Sequence, residues 1–170
     1  MIGLDARIEE LKDLFTTKLF TDVANNTYTS YGRAYWLKRK DEQTGVVFDV
    51  PELLISATQK YQDVLPNHKI HGHSFFIADT GIDIGGYLIS KVSIYFAINL
   101  DVLYPNVTER AVEYLHKDVI KVINMSLFKL IHIETDLPAF ERFGFVKETD
   151  NMQPYYLVRF DTKIEYIIKC

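Results

Sequence analysis

Residues 87 to 103 carry the pattern that most constrains the fold of this chain. Apolar and polar side chains alternate through this segment, and only Ser90 interrupts the apolar side. The apolar side consists of Leu88, Val92, Ile94, Phe96, Ile98, Leu100 and Val102, and the opposite side includes Lys91, Ser93, Tyr95, Asn99 and Asp101. An alternation of period two predicts a β-strand with one buried face.

The last segment of the chain repeats this alternation. One face carries Tyr156, Val158, Phe160, Thr162, Ile164, Tyr166 and Ile168, and the other carries Arg159, Asp161, Lys163 and Glu165. Because each strand has only one apolar face, we expect an antiparallel sheet rather than a parallel sheet that is covered on both faces.

The length of these two strands favours assembly with other molecules. At about 3.3 Å per residue, sixteen residues extend for about 50 Å. A compact domain of 170 residues has a diameter of about 40 Å. A strand of this length must bend or project, and a projecting strand has an unpaired edge that proteins usually cover with a partner. We therefore expect further copies of the chain to cover both strands.

Two helices accompany the strands. The first has an apolar stripe formed by Leu4, Ile8, Leu11, Phe15 and Leu19. The second is expected from Thr108 to Ile123, with Asn106 and Glu109 as a capping box and with a stripe formed by Val112, Leu115, Val119, Val122 and Ile123. The predicted fold class is α+β, with an antiparallel sheet and both helices packed on one face. Residues 1–170 suit a single domain, which buries about 70 % of its surface.

The connecting segments predict one hairpin and several loops. Residues 32–40 and 46–50 are expected to be strands joined by a turn at 41–45, and residues 21–30 a loop. Residues 51–69 leave two alternatives open: a short helix that begins at Pro51 and ends before Pro66, or irregular chain with one strand. Residues 71–86 predict an apolar run followed by a loop, and residues 125–145 predict a loop with one or two short strands.

Charge and cysteine content exclude several classes of function. The chain has 19 basic and 23 acidic residues, so its net charge is −4, which disfavours nonspecific binding to nucleic acid. The single cysteine, Cys170, excludes an internal disulfide framework. The amphipathic start is not typical of a secretory signal, and no apolar run is long enough for a membrane span.

His68, His71 and His73 form the first candidate site. His71 and His73 would share a face of a strand and could hold a metal ion, but neither a third and fourth ligand nor a nearby thiolate is evident. We therefore favour partly exposed loop histidines over a metal site. His116 and His132 are isolated in the sequence and are expected at the surface.

Asp79, Thr80 and Gly81 form the second candidate site. With the apolar residues 75–78 before it, this triplet resembles the catalytic Asp-Thr-Gly of aspartic proteases. In that family two such aspartates share one proton, so a chain with one triplet would act as a homodimer. Aspartate and glycine are also ordinary turn residues, and the two amphipathic helices do not suit a short protease that is nearly all β. We favour a turn and keep the protease as the alternative.

The remaining polar groups have no catalytic arrangement. Asp41, Glu42, Asp49 and Glu52 flank the predicted turn and are expected to be solvated. A basic and aromatic cluster includes Tyr31, Arg33, Tyr35, Trp36, Lys38, Arg39 and Lys40, and it favours a protein interface over nucleic acid. Phosphate-binding, dinucleotide-binding and zinc-helix motifs and a nucleophile elbow are missing from the sequence, so we predict a protein that is not an enzyme and has no cofactor, metal or catalytic residues.

The order of elements resembles the tail-terminator family of bacteriophage neck proteins, together with related tail-completion and head–tail connector rings. The matching pieces are the helix from Leu4 to Leu19, the GRAYW hairpin, the strand from Leu88 to Val102, the helix from Thr108 to Ile123 and the strand from Tyr155 to Ile168. The sequence departs from this layout at residues 51–86 and 126–151.

This resemblance implies a structural virion protein of the phage neck or tail. Such proteins form closed rings of six or twelve copies between portal or connector proteins and tail proteins. Genomic DNA passes through the lumen without specific binding, and a net charge of −4 is compatible with sliding. The implied location is the virion, after assembly in the host cytoplasm, with no membrane partner. A small ligand-binding domain with a closed apolar cavity and no ring is a further alternative.

Overall fold

The computed structural model describes residues 3–23, 27–55, 60–64, 70–79, 81–85, 87–107, 109–141, 143 and 154–167. Within them the helices are α1 (Leu4–Lys18), α2 (Leu100–Leu103), α3 (Ala111–Ile123) and α4 (Asp136–Ala139). The strands are β1 (Tyr28–Lys40), β2 (Val47–Ile55), β3 (Lys60–Asp63), β4 (Gly72–Ala78), β5 (Ile82–Ile84), β6 (Tyr87–Asn99), β7 (Lys129–Thr135) and β8 (Tyr155–Ile167). The fold is therefore α+β.

The strands form one sheet with the order β3-β2-β1-β4-β6-β8-β7, and β5 pairs with β6 beyond the end of β4. Every neighbouring pair is antiparallel except β1 and β4, which are parallel. The prediction of a purely antiparallel sheet is wrong at this pair. Alternation shows which face of a strand is buried, but it does not determine which strand lies beside it.

Both long helices pack on the same face of the sheet, as predicted. Ile8, Leu11 and Phe15 of α1 are fully buried, as are Leu115 and Val119 of α3. They contact the apolar faces of the two long strands, which consist of Val92, Ile94, Phe96, Ile98, Val158, Phe160 and Ile164. The Phe96 ring lies edge-on to Phe15 at 5.3 Å and to Phe160 at 5.6 Å between ring centroids. This helix-side core confirms the assignment of the buried faces.

The start of α3 differs from the prediction. The helix begins at Ala111 after Arg110, which adopts the left-handed conformation with φ of 64° and makes no side-chain cap. The predicted capping box of Asn106 and Glu109 is therefore wrong. Residues 104–107 instead form a turn, in which the Val107 N–H donates to the Tyr104 carbonyl oxygen at 3.0 Å.

The alternating segment at 87–103 ends as a strand earlier than expected. Leu100 and Val102 belong to the short helix α2 rather than to β6. The side chain of Asn99 accepts a hydrogen bond from the Val102 N–H at 3.4 Å, so it caps this helical turn. The local competition of an asparagine side chain with the sheet ladder explains why β6 stops there.

A second core covers part of the opposite face of the sheet. Phe75 of β4, Tyr95 of β6 and Leu157 of β8 meet Phe140 and Phe143 there. The prediction of one-sided strands is wrong for this part, because residues 94–99 of β6 are buried on both faces. Phe140 and Phe143 follow β7 and α4, within the segment that was predicted to be mainly loop.

Residues 51–69 contain strands where a helix was one alternative. The hairpin of β1 and β2 is confirmed, but β2 continues through Pro51 as far as Ile55, and β3 follows. Pro51 lies opposite Trp36 of β1, and the pairing of β2 with β3 begins at the next residue, Glu52. The helix alternative is wrong for the described residues, and residues 56–59 and 65–69 lie outside them.

Candidate assembly surface

The two long strands are paired along their whole described length. Residues 87–99 of β6 pair with residues 155–167 of β8. β4 and β5 follow the other side of β6, and β7 follows the other side of β8. The expectation that both strands have unpaired edges is therefore wrong for most of their length. It holds at one end, where the ladder with β7 starts only at Lys163 and leaves residues 164–167 without an outer partner among the described residues.

An exposed apolar tip lies at this end of the sheet. We define the apolar tip as Ile82 and Ile84 of β5 with Tyr87 of β6, which are 66 %, 58 % and 53 % exposed. Cross-strand pairing puts them on one face, since Ile84 lies opposite Tyr87 and Ile82 lies opposite Ile89. Large apolar side chains that are exposed together mark interaction sites more often than scattered ones do.

The apolar tip is a tight hairpin. Gly85 follows β5 with a φ of 61°, a left-handed conformation that glycine adopts without steric strain. Gly81 precedes β5, and a Cβ atom there would lie 2.8 Å from Ser90 Oγ. A β-carbon at Gly81 would therefore require the Ser90 side chain to shift, so glycine suits the close approach of the chain to β6 at this point.

Beside the apolar tip, the same face carries three rows of polar side chains that run across β6, β8 and β7. The register aligns Tyr95 with Arg159 and Glu134, then Ser93 with Asp161 and His132, and finally Lys91 with Lys163 and Lys129. Directly opposed residues of an antiparallel pair have Cβ atoms about 5 Å apart. The rows are therefore continuous across three strands.

The first two rows neutralise their own charges. Arg159 donates to both carboxylate oxygens of Asp161 at 2.9 and 3.0 Å, and Ser93 Oγ donates to the same carboxylate at 2.7 Å. Burial alone would lower the pKa of Arg159, but the hydrogen bonds and charge of Asp161 outweigh it and raise that pKa. His132 lies 3.4 Å from Glu134.

The third row remains cationic. Lys163 lies 3.6 Å from Glu165, a long contact, and no ion pair of Lys91 or Lys129 is found within the described part of the chain. We call Lys91, Lys163 and Lys129 the lysine row. Lys91 and Lys129 are exposed. Like charges that lie directly opposite one another destabilise a sheet, so this row favours an anionic partner.

β7 forms the outer edge beside these rows and contains a bulge. Leu130 pairs with Thr162 and His132 with Asp161, so Ile131 is an additional residue without a partner in the ladder. Bulges disturb the regular spacing of backbone donors and acceptors along an edge strand.

His71 and His73, two of the three histidines considered as the less favoured metal site, have other surroundings in the structure. His71 contacts the side chain of Thr27, which also accepts a hydrogen bond from the His71 N–H at 3.0 Å. His73 is completely buried beside Tyr31 and Phe75, so the expectation of an exposed histidine is wrong there. His68 lies outside the described residues. Within the described ranges, no group of three or more metal-ligating side chains is found.

Burial determines the protonation of His73. It lowers the pKa of the imidazole to about 4, while the nearby Val64 backbone has a smaller opposing influence. Neither ring nitrogen makes a hydrogen bond of ordinary geometry to a described residue. His73 is therefore a neutral core residue at physiological pH.

The other two histidines differ in exposure. His132 is exposed, as expected. His116 is only half-exposed, because its ring packs edge-on against Phe160 and its Nε2 lies 3.2 Å from the Tyr156 hydroxyl oxygen. Burial lowers the pKa of His116.

Asp79 is exposed at the break between β4 and β5. Its N–H donates to the Lys91 carbonyl oxygen at 3.0 Å, which keeps the chain beside β6 as it passes from one short strand to the next. Thr80 lies outside the described residues. Asp79 thus lies at the end of β4, held beside β6, the strand with which both β4 and β5 pair.

The basic and aromatic cluster does not form one surface. The register of β1 shifts between Ser30 and Arg33, so Tyr31 and Trp36 both reach the second core. Arg33 instead forms an ion pair with Asp5 of α1, with 2.8 Å between Nη1 and Oδ1, and its guanidinium lies over the Tyr35 ring. Periodicity alone did not reveal this division, because a bulge changes the face of every residue after it.

The carboxylates near the turn have different environments. Asp41 accepts from the N–H groups of Thr44 and Gln43 at 2.9 and 2.7 Å, and these hydrogen bonds lower its pKa. Glu52 is buried and forms an ion pair with Arg39, so the expectation of a solvated carboxylate is wrong there.

A cavity of about 330 Å³ lies where α1 ends near the end of α3. Lys18, Asp22, Asp118 and Lys121 line it together with apolar groups such as Phe20 and Val122. The Tyr104 hydroxyl donates to Asp118 at 2.9 Å in its wall. This charged lining differs from the closed apolar cavity expected of a small ligand-binding domain.

Comparison of the chain with models of protein families, with curated proteins and with solved structures gives no match. None of the helices in the described ranges has the length and apolar character that a membrane crossing requires. The apolar tip and the lysine row beside it are thus the surface that we consider for function.

Proposed function

We propose that this chain is a structural, non-enzymatic subunit that assembles with copies of itself through the open end of its sheet. The single observation that carries this proposal is the apolar tip, where three large apolar side chains are each more than half exposed. A partner that covered them would remove apolar surface from water, which is the main favourable term in protein association.

The arrangement of edges at this end supports a repeating contact. The outer edge of β5 lies on one side of β6, and residues 164–167 of β8 lie on the other. The apolar tip is a surface that the rest of the subunit does not repeat, so a contact that joins the tip of one copy to a different surface of the next is heterologous. Contacts of this kind produce closed rings when the rotation closes and filaments when it does not.

The finer proposal is a ring in the neck of a bacteriophage virion, between portal-side and tail-side proteins, with DNA passing through its lumen. The resemblance to tail-terminator proteins supports it, as does the confirmed pair of helices on one face of a sheet with two long strands. A net charge of −4 is compatible with DNA that slides without being held.

Native mass spectrometry and electron microscopy of the purified protein test this proposal. We expect a discrete oligomer and images of a ring with a central hole. The variant I84E/Y87E should dissociate it, because two carboxylates would have to be buried at the contact. Tyr114 of α3 is 48 % exposed and lies outside the proposed contact, so Y114E is the matched control. A strict monomer at high concentration, alone and with viral neck proteins, would contradict the proposal.

A further inference from the structure

We propose that the lysine row of one copy binds an acidic stripe on helix α1 of the next copy. The acidic stripe consists of Asp5, Glu9 and Asp13, all exposed. This inference rests on the proposed self-assembly and adds a charged contact to the one made by the apolar tip.

Among the described residues, the lysine row has one counter-charge, Glu165, whose Oε1 lies 3.6 Å from Lys163 Nζ. The neighbouring rows contain their own counter-charges, because Arg159 bonds Asp161 two residues along β8 and His132 lies near Glu134 on β7. The lysine row instead places Lys163 directly opposite both Lys91 and Lys129. Three such positions on adjacent strands extend over about 10 Å. This arrangement gains most from a partner that carries several negative charges in a line.

Helix α1 presents such a line. Asp5, Glu9 and Asp13 are spaced by four residues, so they lie along one side of the helix and extend over about 12 Å. Asp5 and Glu9 have partners in their own subunit, Arg33 at 2.8 Å and Lys12 at 2.6 Å. Ion pairs with exposed carboxylates contribute little to stability, so Asp5 and Glu9 can exchange these partners for lysines of a neighbouring subunit.

The two surfaces lie on opposite faces of the sheet. α1 packs on the helix-side core, whereas the lysine row shares the face of Tyr95 and Leu157. In a two-fold dimer, both copies of each contact must lie in one interface, which opposite faces of a subunit do not allow. The contact must therefore pass from one copy to the next in one direction, as in a ring.

The charged contact and the apolar tip have different effects. The lysine row lies on the same face as the tip, with Ile89 and Glu165 between them. Burial of the tip contributes affinity, whereas the lines of opposite charge select the partner surface and its register. We therefore expect assembly to weaken as salt concentration rises.

Charge reversal tests the proposed contact. One variant, K91E/K129E, makes the lysine row acidic, and a second, D5K/E9K/D13K, makes the acidic stripe basic. Each should assemble only at protein concentrations about tenfold or more above those of the wild type. An equimolar mixture should regain assembly, because each acidic surface would then meet a basic one. A single chain with all five substitutions should also assemble.

Lys117 of α3 is exposed on the helix side, so K117E is the matched control and should assemble as the wild type does. The inference is wrong, while the proposed self-assembly stands, if K91E/K129E also assembles as the wild type does. The same conclusion follows if neither the mixture nor the variant with all five substitutions regains assembly. If the wild type itself is monomeric at every concentration, both are wrong.

Discussion

The inner part of β6 and its outer end arise from one alternating sequence, yet they differ in what covers them. From Ile94 to Asn99 every residue is buried, because α1 covers one face and the second core covers the other. At Tyr87 the same strand ends in the exposed tip. The contrast shows that one strand can stabilise the subunit at one end and present a surface to other molecules at the other.

Truncation in the inner part should have the largest effect. Phe96 is completely buried between Phe15 and Phe160. Phe96→Ala should lower the free energy of unfolding by about 3–5 kcal/mol, because it removes a large buried ring and leaves a cavity. Urea denaturation followed by circular dichroism measures this loss. A loss below about 1 kcal/mol would show that the inner part is not tightly packed.

Acidic pH should lower the free energy of unfolding through the buried side chain of His73. Its pKa is about 4 in the folded protein and 6.5 when unperturbed, so the unfolded chain binds the proton more readily. The stability contributed by neutral His73 is complete above pH 6.5 and is lost as the pH falls towards 4. This difference corresponds to about 3 kcal/mol.

Urea denaturation at several pH values between 4 and 7 measures that loss. His73→Phe preserves a ring between Tyr31 and Phe75 and removes the titrating group. The wild type should lose more stability than this variant across the range. Parallel curves for the two proteins would contradict the assignment of the loss to His73.

Reversal of one charge in the lysine row should stabilise the subunit. Lys91→Glu replaces a like-charge pair with Lys163 by an opposite-charge pair, so the free energy of unfolding should rise by about 0.2–1 kcal/mol. Thermal unfolding at a concentration where the protein is monomeric measures the change. Lys40→Glu, at an exposed lysine of β1 that lies opposite Val47, is the control. A decrease specific to Lys91→Glu would show that the row is already compensated.

Truncation at the apolar tip should have the smallest effect on folding. Ile84→Ala should change the free energy of unfolding by less than about 0.5 kcal/mol, because Ile84 is 58 % exposed. The same variant should weaken the oligomer, as measured by sedimentation at several concentrations. A large loss of stability in the monomer would mean that the tip belongs to the core.

The sequence predicted the buried faces well because α1, α3, β6 and β8 are long enough for their periodicity to be clear. It failed where one residue changes the register. The shift in β1 after Ser30 places Tyr31 and Trp36 in the same core, and the additional residue Ile131 interrupts β7. Phe140 and Phe143 complete the second core from a segment that has no regular spacing.

The proposed site was only partly visible in the sequence. The alternation placed Lys91 and Lys163 on polar faces, but only the pairing of β6, β8 and β7 shows that they align with Lys129. The apolar residues of β5 lay in a segment predicted to be a loop. Cross-strand register depends on contacts that are distant in sequence, so local patterns did not reveal either feature.

The bulge at Ile131 also limits how this protein can polymerise. Straight strands add to an edge whose amide and carbonyl groups are evenly spaced, which is the geometry of cross-β fibrils. β7 interrupts that spacing at Ile131 and carries an exposed cation, Lys129, near one end. Fibril growth by addition of further strands to the β7 edge is therefore disfavoured even in concentrated solution.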